Sequence, residues 1–437
     1  MRTKLLSVVL FVFSVSIQAE VSIQQWQTSQ GVPVYYINNS ALPMVDIKVI
    51  FDAGSARDLK QHGVASFTSS LLKTGAGKWS ADQIAERFES VGAQFSVGAS
   101  DDSASLSLRT LTEPKLFDKA LATMQTVLTQ PTFASADFNR EQTRLLTLLK
   151  HREESPGAIA SLAFYKALYG DHPYAYAGSG YIETVSKFKP SDTQAFYKSH
   201  YVTANAMVVI VGNLNKQQAT YTAETLMAKL PKGQKPAPLP DVKLPEKSTT
   251  QYINYPSTQT HVLVGFPGMD RHDKDYIALY VGNHILGGSG LVSKLFKEVR
   301  EKRGLAYSAY SHFSPMVKKG PFTMGLQTKN DQTQEALKVL NTTLSDFINQ
   351  GITEEELIAA KKNITGGFVI RFDNNSKLMR YLGLIGFHKL PLDYLNTFPQ
   401  RVEAITVADI KEAFKRRVRP ELLQTVTVGG SLKETKK

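Results

Sequence analysis

The chain has no cysteine. Disulfides, thiolate metal sites and cysteine nucleophiles are therefore excluded. Long apolar runs are also missing. Beyond the first 20 residues no segment approaches the roughly 20 apolar residues of a membrane-spanning helix. Clustered charge is absent as well. The formal net charge is +12, but lysine and arginine are scattered among acids. No interleaving of basic and aromatic residues marks a nucleic-acid surface, so no nucleic-acid partner is expected. What remains is an ordinary globular composition, 42% hydrophobic and 21% charged. At 437 residues the chain can form two to four compact units around a large core without covalent staples.

The N-terminus carries an address. Arg2 and Lys4 precede the apolar run Leu5–Ile17, and Gln18-Ala19-Glu20 follows. This is the pattern of a secretory signal peptide, residues 1–19, cut after Ala19. The run is too short for a membrane anchor. The mature chain is expected in a bacterial periplasm, exported and soluble.

The stretch richest in signals is Leu286–Ser311. Gly287, Gly288 and Gly290 punctuate a loop. Leu291, Leu295, Phe296 and Val299 then recur at helical spacing, predicting one buried face of a short helix. Gly304 stops it as a C′ glycine, with Lys302 and Arg303 in the last turn, where cations suit the helix dipole. Leu305–Ser311 alternates like a strand. This geometry delivers Arg300 from the helix end and Tyr307 from the strand. Both are strong donors, able to grip a peptide carbonyl. Read locally, the same residues also suit a helix C-terminus with ordinary basic residues.

Gly287-Gly288, Leu295-Phe296 and Arg300-Glu-Lys-Arg303-Gly304-Leu305-Ala306-Tyr307-Ser308 resemble the second-half motif of the pitrilysin, insulinase and mitochondrial processing peptidase family. The resemblance implies that Arg300 and Tyr307 bind peptide substrate next to a zinc ion. It extends over roughly residues 25–432. In the first half of that family a helix carries His-x-x-Glu-His. Its two histidines bind zinc and its glutamate is the base for the metal-bound water. The matching residues here are Ser66, Ser69 and Ser70. The family's third ligand, a glutamate separated from the last histidine by 76 residues, falls at Thr147 when counted from Ser70. Neutral hydroxyls cannot replace imidazole and carboxylate as zinc ligands. No catalytic residue and no metal are therefore expected on this chain, and zinc is expected on a partner. His62 and His151 flank these positions but stand in the wrong places. The four small hydroxyls would fill the metal's space and satisfy one another's hydrogen bonds. A second departure is Ser96-Val97-Gly98-Ala99, where active members carry Asn-Ala-x-Thr. Asp171-His172-Pro173-Tyr174 resembles a His-Pro-Tyr stretch of the family, with His172 structural.

An internal repeat supports two related halves. Asp192 lies 20 residues before Gly212, and Asp409 lies 20 residues before Gly429. Each interval reads as helix, break and apolar strand. Pro231, Pro236, Pro238, Pro240 and Pro245 mark an extended linker. The expected organisation is a peptidase-like domain over 20–230, a linker over 231–249 and a second such domain over 250–437. The fold class is α/β (α+β). Each half is a mostly antiparallel sheet packed by helices on one side, and the two are arranged as a clamshell.

The resemblance implies a zinc-less, non-catalytic subunit of a periplasmic heterodimeric metallopeptidase, inactive alone. It would lend Arg300 and Tyr307 to a zinc-bearing homologous subunit acting on peptides. A homodimer is possible in isolation. The alternative is a non-enzymatic peptide-binding or scaffold protein on the same fold. Mass spectrometry of protein recovered from a periplasmic extract should find Glu20 as the first residue; an intact Met1 there refutes the signal-peptide reading.

Overall fold

The structure, a computed structural model, describes residues 21–430. The signal peptide expected over residues 1–19 lies outside the described residues. In chain order the strands of the first half are β1 (Gln24–Gln27), β2 (Pro33–Asn38), β3 (Met44–Phe51), a two-residue pair β4 (Gly75–Ala76) and β5 (Trp79–Ser80), β6 (Gln94–Ala99), β7 (Ala104–Leu111) and β8 (Ala206–Gly212). The second half has β9 (Thr249–Asn254), β10 (Gln259–Pro267), β11 (Ala306–Phe313), β12 (Pro321–Lys329) and β13 (Gln424–Gly429). Two large sheets result, ordered β1-β2-β8-β3-β7-β6 and β11-β12-β10-β13-β9. With β1 set aside, the two sheets follow one path. β8 is inserted beside β2 in parallel, as β13 is beside β9, and all other neighbours are antiparallel. The repeat in the sequence is this path. The Pro190–His200 helix feeds β8 and the Val407–Arg417 helix feeds β13.

Every residue of β8 and of β13 is buried. Such strands must be covered on both faces. Helices of the same half cover one face, as expected. The other face is covered by a helix lent by the other half. Pro156–Tyr169 lies against β10 and β13 through Ala160, Phe164 and Leu168. Asn375–Phe387 lies against β3 and β8, where Tyr35, Ile50, Met207 and Val209 join the second-half core. Gly386 allows this approach, because a Cβ there would sit 2.6 Å from the Met207 Cε and 2.8 Å from the Tyr35 ring. Polar ties fix the register. Arg109 grips Asp46 with two hydrogen bonds of 2.7 Å and donates a third, also 2.7 Å, to the Ser376 hydroxyl.

The proline-rich stretch has no helix or strand but is strapped across both halves. Leu239 and Val242 are buried with the lent helix. The Ala237 carbonyl accepts from Arg57 at 2.6 Å, and Lys318 pairs with Asp241 at 2.6 Å. His172 takes its structural role here. Its Nδ1 accepts from the Tyr174 amide, which leaves Nε2–H to donate to the Pro240 carbonyl at 3.0 Å. Among the described residues no helix is long and apolar enough to cross a membrane.

The Val64–Leu71 helix is anchored from below by Asp58, whose two carboxylate oxygens accept from the Gly63 and Ala65 amides at 2.6 and 2.8 Å. Burial outweighs those donors and pushes the Asp58 carboxyl up to about 7. Asp101 and Asp102, in the same corner, are pushed upward by burial as well.

Two predictions follow from this packing. The halves made separately, as residues 21–230 and 231–430, should fail to fold alone and fold when co-expressed, since each sheet would lack one cover. In the whole chain Phe164→Ala should lower one shared unfolding transition by about 3–5 kcal/mol; two separate calorimetric transitions would contradict the shared core. The second concerns pH. A carboxyl whose folded pKa lies above its unfolded value near 3.9 binds its proton more tightly in the folded state. Its contribution is complete below about pH 4 and lost as pH rises through about 7. Urea unfolding from pH 4 to 8 should therefore show stability falling across that window, and Asp58→Asn should flatten the slope while costing about 1–2 kcal/mol for the lost helix bond.

Candidate functional site

The Tyr276–Asn283 helix runs on into a wide turn, His284–Gly288. A Cβ at Gly287 would lie 2.4 Å from the Ser311 amide nitrogen, so only glycine lets the turn rest on β11. Asn283 locks the contact. It donates to the Ser311 carbonyl at 3.1 Å and accepts from the Ser311 hydroxyl at 2.7 Å. After a single tight turn at Gly290–Val292, Ser293 caps a new helix by accepting from the Phe296 amide. That helix opens with Lys294–Phe296 and widens over Lys297–Glu301. Leu295, Phe296 and Val299 are buried as the spacing predicts, but Leu291 is not. The turn at Gly290 places Leu291 ahead of the helix, and it is 67% exposed. Gly304 ends the helix at φ +63, where the Leu305 amide reaches back to the Val299 carbonyl at 2.9 Å.

β11 starts at once, but its alternation is broken. Ala306 faces Thr328 and Ala309 faces Leu326, so one extra residue is inserted at Tyr307-Ser308. This is a β-bulge on an edge strand, a device that re-aims a side chain. It leaves Tyr307 81% exposed. The Arg300 guanidinium lies 4.4 Å from the centre of the Tyr307 ring and 4.9 Å from that of Phe296. Arg300 and Tyr307 are thus brought together, as a stack. The Arg300 guanidinium forms no ion pair or hydrogen bond among the described residues, so its donors are unspent. Arg303 and Lys302, by contrast, both pair with Glu298 at 2.7 Å.

Ser66, Ser69 and Ser70 lie on the Val64–Leu71 helix. Phe67 holds that helix in place, with its ring 5.1 Å from Phe138 and 5.9 Å from Phe188. Ser66 and Ser70, four residues apart, share a half-buried face, and Ser69 is buried. Thr147 lies on the Ser135–Glu153 helix, exposed beside Leu148. These hydroxyls do not bond one another, which corrects the expectation from sequence. Ser70 donates to the Phe67 carbonyl at 2.8 Å and Thr147 to the Thr143 carbonyl at 3.0 Å. Serine and threonine on a helix find their own turn's carbonyl more readily than a neighbour's hydroxyl. Ser69 lies against Tyr201, whose phenol burial pushes upward.

This donor set does not fit zinc, since it offers only neutral hydroxyls, two of which, on Ser70 and Thr147, are already turned into their own helices. Nor do the nearby histidines supply a site. His62 is stacked on Tyr176 at 3.9 Å, and His151 sits beside Glu154 on an exposed helix end. Among the described residues no three His, Asp or Glu side chains converge to hold a metal. Ser96–Ala99 lies on β6, the edge strand that matches β11 in the other sheet.

A family profile described as Insulinase (Peptidase family M16) matches residues 33–178, and one described as Peptidase M16 inactive domain matches residues 187–364. A non-peptidase homologue from Helicobacter pylori is 26% identical over 419 residues, 95% of each chain. An uncharacterized zinc protease from Bacillus subtilis is 26% identical over 380 residues, 86% of this chain and 91% of its own. The crystal structure of a peptidase M16 inactive domain from Pseudomonas fluorescens superposes with a TM-score of 0.91 at 34% identity, over 94% of this chain and 98% of that one. With both halves matched in turn and that structure matched almost end to end, the chain belongs to the insulinase family of peptidases, M16.

Proposed function

We propose that this chain is the non-catalytic subunit of a periplasmic heterodimeric M16 metallopeptidase, holding peptide substrate for a zinc-bearing homologous partner. The observation that carries the reading is an asymmetry. Ser66, Ser69, Ser70 and Thr147 leave nothing to bind metal or activate water. Arg300 and Tyr307 are stacked at 4.4 Å on a bulged edge strand, with the guanidinium unpaired. A half-buried arginine kept free of carboxylates and set against two rings is preorganised for an outside acceptor. The cation–π stack itself is worth about 0.5–1 kcal/mol at such a site, so it orients more than it stabilises.

In this division of labour the partner supplies zinc and the base. Arg300 and Tyr307 supply donors to the peptide carbonyl and to the charge that grows on it. Losing one donor of this kind costs about 2.7–4 kcal/mol of barrier, a hundred- to thousandfold in rate.

The chain alone should cleave no peptide and should raise the activity of the zinc-bearing subunit. Arg300→Ala and Tyr307→Phe should cut the complex's kcat/KM by about a hundredfold or more. Arg303→Ala should do far less, because Arg303 is already paired with Glu298. Kinetics of each variant mixed with the partner, with assembly followed by size exclusion, decide the matter. Full activity from assembled Arg300 and Tyr307 variants would reject the clamp.

A further inference from the structure

Between the halves lies a recess of about 850 Å³. Asp101 and Tyr165 reach it from the first half, and Arg271, Tyr276, Tyr310 and His312 from the second. The carboxylates of this corner are not equally satisfied. Asp52 is paired with Arg57 at 2.6 Å. Asp102 accepts from the Tyr174 phenol at 2.5 Å and the Val317 amide at 2.9 Å. Asp58 holds its two amides. Asp101 has only the Ser55 hydroxyl, at 3.3 Å, and no cation beside it among the described residues. A largely buried carboxylate without a counter-ion is costly, and a cation arriving from outside relieves that cost.

The rest of the lining suits such a cation. The phenols of Tyr165 and Tyr310 have no hydrogen-bond partner among the described residues. Tyr310, which lines the recess, stacks on His312 at 5.7 Å. Arg271 turns its two terminal nitrogens to the Tyr276 phenol at 3.2 Å and the Pro315 carbonyl at 3.1 Å, and forms no ion pair with Asp101. Tyr310 also lies three residues beyond Tyr307 on β11, roughly 10 Å along a strand. A peptide held at Arg300 and Tyr307 therefore reaches the recess within a few residues.

We propose that the recess receives a basic side chain of the bound peptide, a lysine ammonium or arginine guanidinium, with Asp101 as counter-ion and Tyr165 and Tyr310 as its walls. This specificity rests on the peptide-holding role proposed above, while the recess itself can be tested apart from it.

The test uses the full chain and calorimetric titration with matched ten-residue peptides whose one variable residue is arginine, lysine, citrulline or leucine, and with agmatine alone. Arginine and lysine peptides should bind about tenfold tighter than the citrulline and leucine peptides. Asp101→Asn should erase that preference and leave the citrulline peptide unchanged. Tyr310→Leu, a second probe should Asp101→Asn not fold, should weaken the arginine peptide several-fold and leave the citrulline peptide alone. Equal affinity for arginine and citrulline peptides, or a preference that survives Asp101→Asn, overturns the recess while sparing the clamp. Agmatine binding lost in Asp101→Asn, with no peptide bound, upholds the recess and rejects the clamp. No binding of agmatine or any peptide overturns both.

Discussion

The constraint on which the structure depends is that neither sheet can close its own core. β8 and β13 are buried on both faces, and each half provides helices for one face only. Pro156–Tyr169 and Asn375–Phe387 complete the burial by crossing over. Hydrophobic area is thereby shared in both directions, and the Arg109–Asp46–Ser376 contact pins one crossing. The site inherits its rigidity from this arrangement. β11 is an edge strand, but through β12 and β10 it joins a sheet whose other face rests on the first half. Arg300 and Tyr307 are thus presented by a doubly backed platform, and the Asp101 recess exists because two halves meet there.

Much of the fold was legible in the sequence because local signals coincided with tertiary need. Leu295, Phe296 and Val299 are buried at the helical spacing that predicts them, and Gly304 ends their helix with φ +63. The Asp192–Gly212 and Asp409–Gly429 intervals revealed the duplicated path. The crossing helices were not legible. Ala160, Phe164 and Leu168 show which face is buried but not which sheet buries it. Leu291 failed for a local reason, since periodicity cannot show that Gly290 turns the chain one residue earlier.

Of the site, the Arg300–Tyr307 pair was legible through family motif and spacing. Its geometry was not. A bulge is a mismatch between two strands, Ala306–Ala309 against Leu326–Thr328, and neither strand announces it alone. Asp58 and Asp101 were overlooked because an acid in a turn reads as solvated; only burial makes them notable. The hydrogen bonds of the four hydroxyl residues were not legible, because local carbonyls compete better than distant partners.

The crossing of Asn375–Phe387 also sets an order in time. The strands of the first sheet are complete once residue 212 has been made, yet the helix that covers β3 and β8 ends at Phe387. A growing chain must therefore carry an open apolar sheet face through the synthesis of most of its second half. Contacts so distant along the chain are formed slowly. Locking of the first half therefore waits until nearly the whole chain has been made.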